Sequence, residues 1–300
     1  MMSNAGDGFT TQTVELSAGR IHVHEAGDGE PLVFIHGFGV NSRLWTETAT
    51  ALAGERRCIL PELPFGSHPE AMRPDADLSP TGAATLIAEL LAELGLEDVT
   101  IVANDSGGAI SQILVTEHPE RIARLVLTNC DCLEVFPPGV FKLLAKAIKL
   151  PGAGTALANG LRLGPIQRSP LAYGALTKRR LSDELLDSWV RPLIADRGVR
   201  RDAVRFFGAV DPKFTLAAAE KLPALRIPVL LAWADEDRFF RIELAERLEA
   251  LIGDAELVRI PDSLTFVSLD QPQLLAETIA GFLARKPLAD RGAAASPPPS

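Results

Sequence analysis

Val102-Ala103-Asn104-Asp105-Ser106-Gly107-Gly108-Ala109-Ile110 is the stretch that decides the fold. An apolar, β-branched run stops at a polar residue, and small residues follow it into a helical pattern. That is the form of a nucleophile elbow, a sharp strand-to-helix turn that pushes one side chain out at the top of a sheet. Ala103 and Gly107 stand two before and two after Asp105, where bulk is not tolerated, so Asp105 is the expected exposed residue. The other register, with Ser106 exposed, would put Asn104 in the tight position before the turn.

Outward from this turn the chain alternates short apolar runs with helical patterns. Ile21–His24, Leu32–Ile35, Cys58–Leu60, Val99–Ala103 and Leu125–Leu127 read as strands. Nearly continuous apolar character is that of strands buried on both faces of a parallel sheet. Before the elbow, Ser79 and Pro80 open a helix, Leu86, Ile87, Leu90, Leu91 and Leu94 share one face, and Gly95 ends it. After Cys132 helical patterns continue without a buried strand, over Phe141–Leu150 and Leu185–Ile194. Strands return at 228–233 and 256–260, and a last helix covers Pro272–Arg285.

The expected fold class is α/β: a mostly parallel central sheet flanked by helices, with a helical cap inserted after the sixth strand. The division that follows is a core of 12–132 and 213–285, a cap of 133–212, and disordered ends at 1–11 and 286–300. A cap of this kind would cover the C-terminal edge of the sheet, where open α/β folds bind ligands.

A net charge of −9 opposes nucleic acid and anionic membranes as partners. No apolar run reaches the length of a membrane span, and the first nine residues lack a secretory apolar segment. Three cysteines, Cys58, Cys130 and Cys132, cannot all pair within one chain, which favours a reducing cytoplasm. Cys130-Asp131-Cys132 has no second Cys or His pair near it in sequence, so it reads as a strand end rather than a metal site. The expectation is an enzyme with no metal and no cofactor, acting on a small molecule.

Four landmarks in order resemble the α/β-hydrolase superfamily over roughly residues 12 to 285. They are His36-Gly37-Phe38-Gly39 with Trp45, Pro61-Glu62-Leu63-Pro64-Phe65-Gly66, the elbow itself, and Trp233-Ala234-Asp235-Glu236-Asp237. The elbow resembles that of the aspartate-nucleophile branch, the haloalkane dehalogenases and epoxide hydrolases, which reads His-Asp-Trp-Gly-Gly. The resemblance implies Asp105 as nucleophile and Asp237 as the acidic triad member. It implies oxyanion donors at the backbone N–H groups of Phe38 and Ser106, in a loop where His36 and Gly37 help shape the site. Tyr173 is the one lid tyrosine available to a substrate.

The chain departs from that branch at the base. Where a histidine is expected, Asp262-Ser263-Leu264-Thr265-Phe266 offers Thr265, and no histidine follows His118. Threonine is no base near neutral pH, and loss of a positioned base typically removes about 10²–10⁴ in rate. His68, on the loop after the third of the strands above, is the candidate for a displaced base or a substrate contact. Asp237, left without an imidazole, is free to bond Thr265 or to act as a second carboxylate near Asp105. Ser106 and Phe38 also stand where dehalogenases place halide-binding side chains.

A carboxylate has an ordinary pKa of about 3.9 and needs no partner to ionise it. Attack on a carbon bearing a halide or an epoxide oxygen gives an alkyl ester, which water must then cleave. The residues therefore support a hydrolase of a small or medium apolar substrate working through Asp105. They leave two alternatives open: a lyase, isomerase or cyclase that uses Asp105 as a base, and a catalytically impaired binding homologue.

Overall fold

The computed structural model describes residues 8–170 and 172–288. Eight strands form one sheet: β1 (Thr10–Leu16), β2 (Gly19–Ala26), β3 (Pro31–Ile35), β4 (Arg57–Pro61), β5 (Val99–Asp105), β6 (Ile122–Cys130), β7 (Val229–Ala234) and β8 (Ala255–Ile260). Their order is β1-β2-β4-β3-β5-β6-β7-β8. The pairs β1–β2 and β2–β4 are antiparallel, and every later pair is parallel. The expected α/β class with a mostly parallel sheet is therefore observed.

The apolar runs form strands because both faces of the sheet are covered. Ile101 and Ala103 on β5 point to one core, which contains Leu86, Ile87, Ile110 and Leu114 of the helices Pro80–Glu93 and Ser106–Glu117. Val102 points to the other, with Trp45 and with Leu275, Ile279 and Phe282 of the helix Pro272–Arg285. Ser79 caps the first of these helices by accepting from Gly82 N–H at 3.2 Å, as its position predicts.

Two expectations at the ends need correction or fall outside view. The strand β1 begins at Thr10, inside the segment 1–11 expected to be disordered. Its Thr-rich face is exposed while its backbone pairs in register with β2 from Thr10 to Leu16, so pairing rather than burial orders it. Residues 1–7 and 289–300 lie outside the described residues, as does most of the tail expected from 286. Among the described residues six α-helices lie between β6 and β7, from Gly139 to Lys221. The last of them, Pro212–Lys221, packs on the helix Ser106–Glu117 of the sheet layer.

Candidate active site

The elbow is built by backbone geometry. Asp105 ends β5 with φ 56° and ψ −136°, and the helix starts at Ser106. A non-glycine residue held at positive φ costs of order ~1–3 kcal/mol and persists only where its surroundings enforce it. Here the enforcement is steric. A Cβ on Gly37 would sit 2.6 Å from Asp105 Cβ, and one on Gly107 would sit 2.5 Å from the His36 carbonyl oxygen. Both glycines let the oxyanion loop and the helix start close on the turn. Asp105 thus holds the positive-φ position of the turn, and Ser106 is the first residue of the helix.

Asp105 lines a cavity of about 120 Å³. From the sheet layer Phe38, Gly39, Ser106 and Asp131 join it, and from the helical stretch Leu161, Tyr173, Trp189 and Phe207. Among the described residues the lining contains no Lys, Arg or His. Asp105 Oδ1 accepts the Ser106 N–H, which leaves Oδ2 free of a backbone donor. Burial pushes the Asp105 carboxyl up to about 6; the Ser106 N–H opposes this, and the nearby Asp237 carboxyl adds to it. The Phe38 N–H donates to Ser106 Oγ at 2.8 Å. Both expected oxyanion donors are therefore at the elbow and both are engaged.

Asp237 follows β7 and is fixed by donors from two backbone and two side-chain groups, one of the latter being Asn129. Phe239 N–H and Phe240 N–H reach its Oδ1 at 2.8 and 3.3 Å, and the Thr265 hydroxyl donates to Oδ2 at 2.8 Å. Burial still holds this carboxyl above the ordinary range. Thr265 is itself placed by Asn104, whose Nδ2 donates to the Thr265 carbonyl at 2.7 Å. Of the two alternatives left open for Asp237, the bond to Thr265 is the one observed. Neither Asp237 nor Thr265 is among the residues lining the cavity.

His68 is a correction. Its ring is 1 % exposed and lies outside the cavity lining. One nitrogen accepts from Gly66 N–H at 3.4 Å and the other faces Asp202 Oδ2 at 3.4 Å. The structure therefore does not bring it to Asp105, and its two contacts tie the loop after β4 to Asp202. His36 is also structural. Its Nε2 accepts the Leu63 N–H at 3.0 Å, so Nδ1 carries the proton toward the Gly37 carbonyl at 2.9 Å. Burial lowers its pKa and keeps it neutral. Tyr173 does line the cavity, but its hydroxyl donates to the Gly39 carbonyl at 2.6 Å. His24 is half-buried and faces Glu62 at 3.2 Å.

Two polar groups of the cavity escaped sequence reasoning. Asp131 follows β6 and is 1 % exposed, and Trp189 comes from the helix Asp183–Ala195. Asp131 Oδ1 and Trp189 Nε1 are both buried without a hydrogen-bond partner. For Asp131 a signal existed, since a carboxylate directly after an apolar parallel strand lies at the ligand-binding edge of such a sheet. For Trp189 none did. Among the described residues no group of three or more His, Cys, Asp or Glu side chains could hold a metal ion.

A family model described as alpha/beta hydrolase fold matches residues 30–272. The chain belongs to the alpha/beta hydrolase fold family. Within the family it is 27% identical over 296 residues to haloalkane dehalogenase 2 of Mycobacterium tuberculosis, covering 90% of this chain and 94% of that one. It is 24% identical over 277 residues to a 2-hydroxy-6-oxononadienedioate/2-hydroxy-6-oxononatrienedioate hydrolase of Klebsiella pneumoniae, covering 89% and 91%. Among solved structures, haloalkane dehalogenase DbeA from Bradyrhizobium elkani superposes with a TM-score of 0.78 at 19% identity, covering 92% and 98%. That last likeness is one of fold.

Proposed function

We propose that this chain is a hydrolase of small apolar electrophiles that works through a covalent ester on Asp105. The observation that carries the reading is Asp105 itself, a carboxylate on a positive-φ turn, with one oxygen on the Ser106 N–H, facing an apolar cavity. In such a site Oδ2 attacks an sp³ carbon and the leaving group departs. The ester carbonyl oxygen is then Oδ1, already against a backbone donor. When water attacks Cγ, that donor faces the developing oxyanion without rearrangement. The relatives named as dehalogenase and hydrolase support the reaction class.

The cavity volume favours the small end of the expected substrate range, since about 150 Å³ is enough to hold a benzene ring. Residues 133–212 act in this reading as a cap that keeps water from the ester, over a core that begins at Thr10. Three unpaired, buried cysteines support a cytoplasmic setting. No described helix is long and apolar enough to cross a membrane.

The test is turnover of bromoalkanes and terminal epoxides in water enriched in heavy oxygen. The reading expects the label to enter the Asp105 carboxyl first and the product afterwards. Product labelled from the first turnover, with Asp105 unlabelled, would show direct attack by water and remove the ester.

A second reading has Asp105 as a proton-transferring base. It is favoured by the same carboxyl being held at about 6, close to working pH. Exchange of a ligand C–H for deuterium without any labelling of Asp105 would select it.

A further inference from the structure

Asp131 is a buried carboxyl in the nucleophile's cavity, and one of its oxygens has no partner. It lines the same cavity as Asp105, and its Oδ1 meets no donor. Its backbone is held from two sides. The Asp131 N–H donates to the Asp105 carbonyl at 3.2 Å, and Gln112 Nε2 donates to the Asp131 carbonyl at 2.9 Å. The charged group facing it is Asp105, and its titratable chain neighbours are the thiols of Cys130 and Cys132, both buried and neutral. A buried charge without a partner is expensive, so the group takes up a proton instead. Burial, with Asp105 adding to it, holds the Asp131 proton well above the ordinary range. The site thus contains one ionised-form nucleophile and one neutral acid, the division of labour that two adjacent carboxyls reach when their environments differ.

Other hydroxyl donors in the lining are committed or weak. The Tyr173 hydroxyl is on Gly39, the Ser67 hydroxyl donates to the Trp189 carbonyl at 2.7 Å, and the Ser106 hydroxyl is bonded to Asp105 itself. We propose that Asp131 is the acid–base residue of this site, and that the substrates it favours lose an oxygen leaving group that must be protonated, such as a strained cyclic ether. This rests on the reading of Asp105 as nucleophile given above.

The protons balance over a cycle. Asp105 Oδ2 forms a bond to the ring carbon, the carbon–oxygen bond breaks, and the Asp131 proton passes to the departing oxygen. Asp131 is then a carboxylate beside a neutral ester, so the like charge that opposed its ionisation is gone. It takes a proton from the water that attacks Cγ, and returns it to the alkyl oxygen when the tetrahedral intermediate collapses. The diol leaves, Asp105 emerges protonated, and its proton returns to Asp131. No oxidant or co-reactant other than water is needed. A bromide, in contrast, departs as a stable anion and needs no proton in the first step.

The test compares ester formation on Asp105 from a bromoalkane and from the terminal epoxide of equal chain length, followed by intact-protein mass. In Asp131→Asn the epoxide arm is expected to fall by about 10²–10⁴-fold and the bromoalkane arm by less than about tenfold, the size of a lost acid setting the difference. The bromoalkane arm also shows that the variant has folded. In a second variant, Asp131→Ala, added formate is expected to restore part of the epoxide arm. Equal losses in both arms, or no loss in either, overturn the role of Asp131 while leaving the Asp105 ester standing. No ester from either compound in the unsubstituted protein overturns the nucleophile reading and this proposal together.

Discussion

The Thr265 hydroxyl donates to Asp237 Oδ2 at 2.8 Å, so the carboxyl that the resemblance aligns with the family's triad acid is met by an alcohol. The contact keeps a buried carboxylate supplied with donors, but supplies no base. Replacing Thr265 with valine removes the hydroxyl donor to Asp237 and is expected to lower stability by about 1–3 kcal/mol, read by urea denaturation. Replacing it with histidine is expected to shorten the lifetime of an Asp105 ester by about 10²–10⁴-fold, read by mass against time. A lifetime unchanged in a folded Thr265→His variant would mean that position 265 does not face the ester.

The Asp105 carboxyl makes stability depend on pH in a defined direction. Its folded-state pKa of about 6 lies above its unfolded value, so the folded state binds more protons between about pH 4 and pH 6. Stability contributed by this group is present below that window and is lost as pH rises through it. Two units correspond to at most about 3 kcal/mol, less for a group that is only partly buried. Asp105→Asn should therefore gain more thermal stability over the parent at about pH 7.5 than at about pH 4. Alkylation should run the other way, rising with pH to a plateau above about 6 as the nucleophile ionises.

Ser106 accepts from the Phe38 N–H and does not occupy the turn. Ser106→Ala should cost about 1 kcal/mol of stability for the lost bond and leave ester formation within about tenfold. Asp105→Asn should abolish ester formation while keeping the fold. Loss of all activity in Ser106→Ala, with Asp105→Asn still active on carboxylic esters, would transfer the nucleophile to Ser106.

His68 ties the loop after β4 to the insertion through Asp202. His68→Asn should lower the melting midpoint, with a cost of about 1–3 kcal/mol, and change ester lifetime by no more than a few-fold. A lifetime lengthened a hundredfold at unchanged stability would restore His68 as a base.

Much of the fold was legible because its signals are local. Runs such as Val99–Ala103 are apolar on both faces, and Ser79-Pro80 with Gly95 brackets a helix by backbone chemistry alone. The strand β1 was not legible, because Thr10–Leu16 is ordered by pairing at an exposed edge rather than by burial. At the site, the elbow follows from its local run of small residues, and the Thr265–Asp237 contact was one of two alternatives that the family resemblance left for Asp237. The roles of His68 and Asp131 follow from neither. They depend on which side chains arrive from the helices between β6 and β7 and on what those side chains leave unpaired: Asp202 reaches His68, while nothing reaches Asp131 Oδ1.

The most direct measurement is a peptide-level mass map after exposure to a small bromoalkane, with Asp105→Asn beside the parent. The account predicts one alkyl group on the peptide carrying Asp105, located to that residue and absent from the variant. Alkylation at any other residue would contradict it, as would a protein that consumes the bromoalkane in heavy-oxygen water while Asp105 gains neither alkyl group nor label.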